Sequence, residues 1–211
     1  RGESSHRPYP PTQVLARRYG DCKDKTYLLV AMLRELGVEA DPVFASLRAP
    51  KVPAKMLPAP DAFDHAIVRV RVNNRDYYLD PAAQPQSGAL DRLGPYVEGS
   101  EVLVIAPSTK NLETVSQPGI RDQVQVELFE EFTVKEMGAA GTLQVKQVWH
   151  GNGADRIRLL IAQQTPEQLR KLAMGNYERQ YNGAVLSGDP VFEDDLEINA
   201  ITFKARYTIP K

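Results

Sequence analysis

"RRYGDCKDKTYLLVAM", residues 17–32, contains Cys22, the single cysteine of a 211-residue chain. Charged residues flank it, and an apolar run begins at Tyr27. Gly20 permits a sharp entry of the chain. Residues 21–36 read as a helix that Gly37 stops. Residues 27–33 are apolar all round, a pattern that predicts a helix buried on every side. Cys22 then falls in the first helical turn, where unpaired N–H groups and the macrodipole favour an anion. Asp21, Lys23, Asp24 and Lys25 read as a solvated first turn whose effects on a thiolate nearly cancel. A thiol attacks carbonyls only as the thiolate. The helix end is insufficient by itself, and a histidine base is required.

The sequence offers His6, His65 and His150. His65 opens "HAIVRVRV", which alternates strictly from Ala66 to Val72 and runs into "NNRDYYLDP". Asn73-Asn74 tolerates positive φ, so a two-residue hairpin turn is expected there. That register sets Val72 opposite Arg75 and Ile67 opposite Asp80. His65 is then diagonal to Asp80, with Cβ atoms under about 8 Å apart. The other face collects Ala66, Val68, Val70, Val72, Tyr77 and Leu79, a core face. The register that buries the apolar set thus brings His65 to Asp80. In this arrangement Asp80 orients the imidazole, and His65 activates Cys22 and later protonates a leaving amine. His6 and His150 are read as surface or strand-end residues.

The rest of the chain sets the frame. Its formal net charge of −1 gives no basic excess for nucleic acid, and a lone cysteine excludes an internal disulfide. No apolar run is long enough to span a bilayer. The start at Arg1 reads as that of a fragment. Residues 1–12 read as an irregular arm, "ADPVFASL" as a strand, and residues 48–63 as a proline-rich loop. That loop directly precedes His65 and is expected to border a cleft. "EVLVIA" (101–106) is a further strand. From about residue 117 the character changes. "VQVELFEEFTV" and "TLQVKQVWH" form a second hairpin. "TPEQLRKLAMGNYERQY" is a helix with a Thr165/Gln168 capping box and Pro166 in its first turn. "AITFKARYTI" alternates again. The expected domains are 1–116, α/β in character, and 117–211, mostly antiparallel β with one or two helices and sandwich-like. "GNGADR" (151–156) lacks a strand–turn–helix context for phosphate. Glu193, Asp194 and Asp195 read as a solvated turn rather than a calcium site. Trp149 reads as packing.

Three stretches, "YGDCKDKTYLLVAMLRELGVEADPVFAS", "FDHAIVRVRV" and "YYLDPA", together resemble the transglutaminase-like superfamily. The likeness is to a bacterial branch in which a β-rich domain follows the core. Members carry a Gly-x-Cys at a buried helix start, a His opening a strand and an Asp-Pro ending the next. The matching positions are Cys22, His65 and Asp80. The resemblance spans roughly residues 12–105. It implies an α+β, papain-like core with the cysteine helix packed on an antiparallel sheet. This chain has only the arm 1–20 where relatives place earlier helices, so domain 1–116 is read as lacking its N-terminal part. Many relatives have "HAW" where this chain has "HAI".

The resemblance further implies a cysteine-dependent protease, amidase or transglutaminase acting on a protein or peptide substrate, with hydrolysis favoured over cross-linking. The alternative is an inactive protein-binding module that retains the fold. No metal or organic cofactor is required by this chemistry. A periplasmic or cell-envelope location follows from the family. Oligomeric state is left open.

Overall fold

A computed structural model describes residues 7–49, 55–57, 59–83, 85–93, 97–116 and 125–210. His6 and part of the proline-rich loop lie outside them. Among the described residues the protein is mixed α+β, with four α-helices and two antiparallel sheets. No helix among them is long and apolar enough to cross a membrane. Chain contacts separate two compact units: residues 1–84 with 93–121, and residues 85–92 with 122–211.

The first unit opens with α1 (Pro11–Arg17), inside what the sequence suggested to be an irregular arm and the residues following it. Pro11 sits in its first turn, where a missing N–H costs nothing and a fixed φ favours the helix. Next comes α2 (Cys22–Glu35), then β1 (Glu39–Ala45), β2 (His65–Val72), β3 (Arg75–Leu79), β4 (Glu101–Val104) and β5 (Glu113–Thr114). Sheet order is β3-β2-β1-β4-β5. Asn73 and Asn74 have φ of 50° and 60°, so both central residues of the β2–β3 turn are left-handed. The register has Val72 opposite Arg75 and Val68 opposite Leu79.

One sheet face holds Ala40, Val68 and Val70 against Val30 of α2, with Leu29 and Leu33 beside them. The opposite face, left without a core role by the sequence reading, is buried too. Val43, Ala45, Ile67 and Tyr78 pack there with Val97, Val102, Val104 and Val115. Valines from β4 and its flanking segments, distant in sequence, supply that second layer. Arg69 extends this face with ion pairs to Asp41 at 2.7 Å and Glu113 at 3.3 Å.

The expectation of an α2 buried all round is not met among the described residues. Tyr27 is 44% and Met32 50% exposed. The sheet covers one side of α2 and α1 lies against it. An apolar run reports how much surface can be buried, not how many elements come to cover it.

The second unit contains β6 (Val126–Val134), β7 (Gly141–His150), α3 (Asn152–Gln163), α4 (Pro166–Gln180), β8 (Val185–Leu186), β9 (Val191–Asp195) and β10 (Ala200–Ile209). β10 pairs with β7 along one edge, and with β8 and β9 along the other. Phe203 and Tyr207 of β10 pack with Leu143, Val145 and α4's Ala173 and Tyr177. Helix α4 thus covers the face a second sheet would cover in a sandwich. The Thr165/Gln168 capping box is present at its start. Trp149 packs edge-on to Phe203, with centroids 6.4 Å apart.

Two local readings change. "HGNGADR" is a strand–turn–helix, because Gly151 (φ 53°) joins β7 to α3. The buried Asp155 carboxyl sits in that first turn, held by Arg158 at 2.8 Å, which disfavours a phosphate there. The acidic cluster is not a turn but the end of β9, where Asp194 pairs with Arg158 and Glu193 with Lys204.

Candidate active site

The site begins at the entrance to α2. Asp21 caps the helix, accepting from the N–H groups of Lys23 at 2.9 Å and Asp24 at 3.1 Å. Lys23 Nζ pairs with Asp21 at 2.8 Å, so this acid is locally neutralised. Asp24 is not the solvated residue expected from sequence, being only 3% exposed. Its carboxylate accepts from the Asp21 N–H at 3.2 Å, completing a capping box, and from the Tyr9 N–H at 2.8 Å. The signal was available: Asp21 and Asp24 have capping-box spacing, with Asp in place of Glu.

Gly20 is required by close approach rather than by its backbone angle. A Cβ there would lie 2.6 Å from Asp24 Cβ and 3.1 Å from Val14 Cγ1. Gly20→Ala is expected to lower stability by about 1–3 kcal/mol through overpacking. Thermal unfolding of the purified variant checks this, and an unchanged midpoint would refute it.

Cys22, Thr26 and Val30 are spaced four apart and share the face of α2 turned to the sheet. The β2–β3 ladder ends at Val68 opposite Leu79. Beyond that end, α2 engages the β2 backbone. Thr26 Oγ1 donates to the Ala66 carbonyl at 3.0 Å. At the other end of α2, Arg34 Nε donates to the Ala40 carbonyl at 2.8 Å. Thr26 to Arg34 is a rise of about 12 Å. The four residue steps from Phe44, which pairs with Ala66, to Ala40 span about 13 Å. The helix therefore runs nearly along the strands, and its N-terminus arrives at the start of β2.

His65 starts β2 at that point. Its Nε2 lies 2.7 Å from Asp80 Oδ2. Asp80, 7% exposed, is itself fixed. Its Oδ1 accepts from the N–H groups of Ala82 at 2.9 Å and Ala83 at 3.2 Å, in the turn that Pro81 opens. Cys22 lies close enough to His65 to act on its ionisation. The structure thus sets His65 on Asp80, with Cys22 at the neighbouring start of α2. His150 is elsewhere, at the end of β7, paired with Glu127 at 2.8 Å. Tyr19 is exposed.

The electrostatics agree with the geometry. The hydrogen bond with His65 lowers the Cys22 pKa more than burial raises it, and the Ala66 backbone and Lys23 act in the same sense. Burial opposes charge on His65, but hydrogen bonds to Asp80 and Cys22 outweigh it and carry the imidazole up to about 9. Both shifts favour a thiolate beside an imidazolium. Among the described residues, no group of three or more His, Cys, Asp or Glu side chains is placed to hold a metal.

The family model described as the transglutaminase-like superfamily matches residues 1–81. Over these residues the chain is similar to the transglutaminase-like superfamily. The matched segment carries Cys22, His65 and Asp80, and ends one residue after the last of them. No curated protein and no solved structure matches the chain.

Proposed function

We propose that this transglutaminase-like chain is a thiol acyl-transfer enzyme with Cys22, His65 and Asp80 as its catalytic triad, acting on an amide of a protein or peptide. The observation supporting this reading is the 2.7 Å bond between His65 and Asp80, beside the α2 start that carries Cys22. In the first half-reaction the Cys22 thiolate attacks the amide carbonyl carbon, forming the C–S bond. The α2 N-terminus stabilises the developing oxyanion. Asp21 does not engage the Cys22 N–H, which is a donor available for that role. His65 gives its proton to the departing nitrogen as the C–N bond breaks, leaving a thioester and an amine or ammonia. In the second half-reaction, neutral His65 takes a proton from water, whose oxygen attacks the thioester. The carboxylic acid leaves, and the thiolate–imidazolium pair is restored. An amine in place of water gives transamidation. Hydrolysis is the preferred outcome, on the family resemblance.

The two titrations separate the roles. Below the lowered Cys22 pKa the sulfur is a thiol and both alkylation and acyl transfer are slow. Above about 9 His65 is neutral and lacks the proton a leaving amine needs, while the thiolate persists. Iodoacetamide alkylation should therefore rise through an inflection below the ordinary thiol value of about 8.5 and remain high in alkali. Acyl transfer should fall above pH about 9. The test is the alkylation rate of Cys22 across pH 5–10 by mass spectrometry. An inflection at the ordinary thiol value would reject the enzyme and favour a binding module.

A further inference from the structure

We infer that Phe44 and Phe63 form a specificity wall that seats an apolar, preferably aromatic, substrate side chain next to the carbonyl attacked by Cys22. This rests on the acyl-transfer reading of Cys22 and adds a substrate class to it. Phe44 pairs with Ala66 in the β1–β2 register, so the two side chains share a sheet face. Thr26, one helical turn after Cys22, donates to the Ala66 carbonyl at 3.0 Å. Phe44 therefore lies one strand spacing, about 5 Å, from backbone held by the turn of α2 that carries the nucleophile.

Burial along β1 shows why this face is open there. On the α2 side, Ala40 is buried, Pro42 partly so and Phe44 is 37% exposed. α2 covers the far end of the strand, and its first residue is Cys22. Phe63, two residues before His65, approaches Phe44 with ring centroids 6.3 Å apart and planes tilted by 33°. Leu103 pairs with Phe44 from β4 and adds an apolar neighbour on the same face. An aromatic pair held half-open beside a nucleophile offers a ring or branched aliphatic side chain a surface to cover.

The test uses the full chain and two peptidyl vinyl sulfones that differ only in bearing Phe or Gly next to the electrophile. Each inactivation rate is divided by the iodoacetamide rate of the same variant, which removes changes in thiolate content. Wild type is expected to prefer the Phe probe by about 5-fold or more, and Phe44→Ala to reduce that preference to within about 2-fold. Phe63→Ala, on a separate segment, makes the same measurement if Phe44→Ala fails to fold by circular dichroism. Rapid iodoacetamide alkylation with no Phe preference, or with one unchanged in the folded variants, overturns the wall and leaves the acyl-transfer reading standing. Iodoacetamide alkylation no faster than that of a free thiol overturns the acyl-transfer reading, and the wall falls with it.

Discussion

Replacing His65 with alanine is expected to slow iodoacetamide alkylation of Cys22 at pH 6.5 by about 10- to 100-fold. The bounds follow from thiolate chemistry. An unassisted thiol with a pKa near 8.5 is about 1% ionised at pH 6.5. If the imidazolium keeps Cys22 fully ionised, the thiolate fraction alone differs by about 100-fold. A thiolate of lower pKa is also a weaker nucleophile, with a Brønsted coefficient of about 0.4–0.5, which returns roughly tenfold of that gain. Removing His65 deletes the largest cause of the lowered Cys22 pKa, leaving burial to push it up against the Ala66 hydrogen bond and Lys23. The difference between wild type and variant should narrow toward pH 9, where both thiols ionise. Equal rates for the two proteins at pH 6.5 would show that His65 does not activate Cys22.

Asp24→Ala is expected to cost about 3 kcal/mol of stability, more than most surface substitutions. The carboxylate closes the capping box at Asp21 and accepts from the Tyr9 N–H, two donors fixed by one buried side chain. Loss of a cap costs about 0.5–2 kcal/mol, and leaving a buried N–H unpaired about 1–3 kcal/mol. The two are coupled, so the estimate lies below their summed upper limits. Asp24→Asn retains the volume but keeps one oxygen acceptor for two donors, and should fall between alanine and wild type. Urea unfolding followed by circular dichroism should show a midpoint lower by about 1–2 M for Asp24→Ala. A midpoint within experimental error of wild type would remove Asp24 from any part in holding the α2 N-terminus.

Both predictions depend on short-range features that differ in how plainly the sequence displays them. The Asn73-Asn74 turn is a local preference, and with it every side chain of β2 and β3 is assigned to a face, because a strand alternates with period two. Val72 opposite Arg75 follows, and so does the approach of Asp80 to His65. The α2 start was legible through Gly20 and Asp21. Its interior was misjudged, because the exposure of Tyr27 and Met32 depends on how many other elements pack there. Asp24 looked like one more surface charge. Its partner Tyr9, fifteen residues earlier and before α1, donates to it. The helix α3 was missed because its glycines, at 151 and 153, weigh against a helix unless β7 is already known to end at His150.

Taken alone, the sequence determined which residues could do thiol chemistry and the strand register that sets a histidine beside a carboxylate. Turn preference and alternation act over a few residues, so they need no knowledge of the rest of the chain. The tertiary structure alone decided that α2 runs along β1 and β2, pinned by Thr26 to Ala66 and by Arg34 to Ala40. That packing sets the Cys22 end of α2 near His65, and it leaves Phe44 and Phe63 partly exposed. Contacts between residues some forty positions apart depend on which apolar faces meet, and periodicity within one element carries no record of its partner.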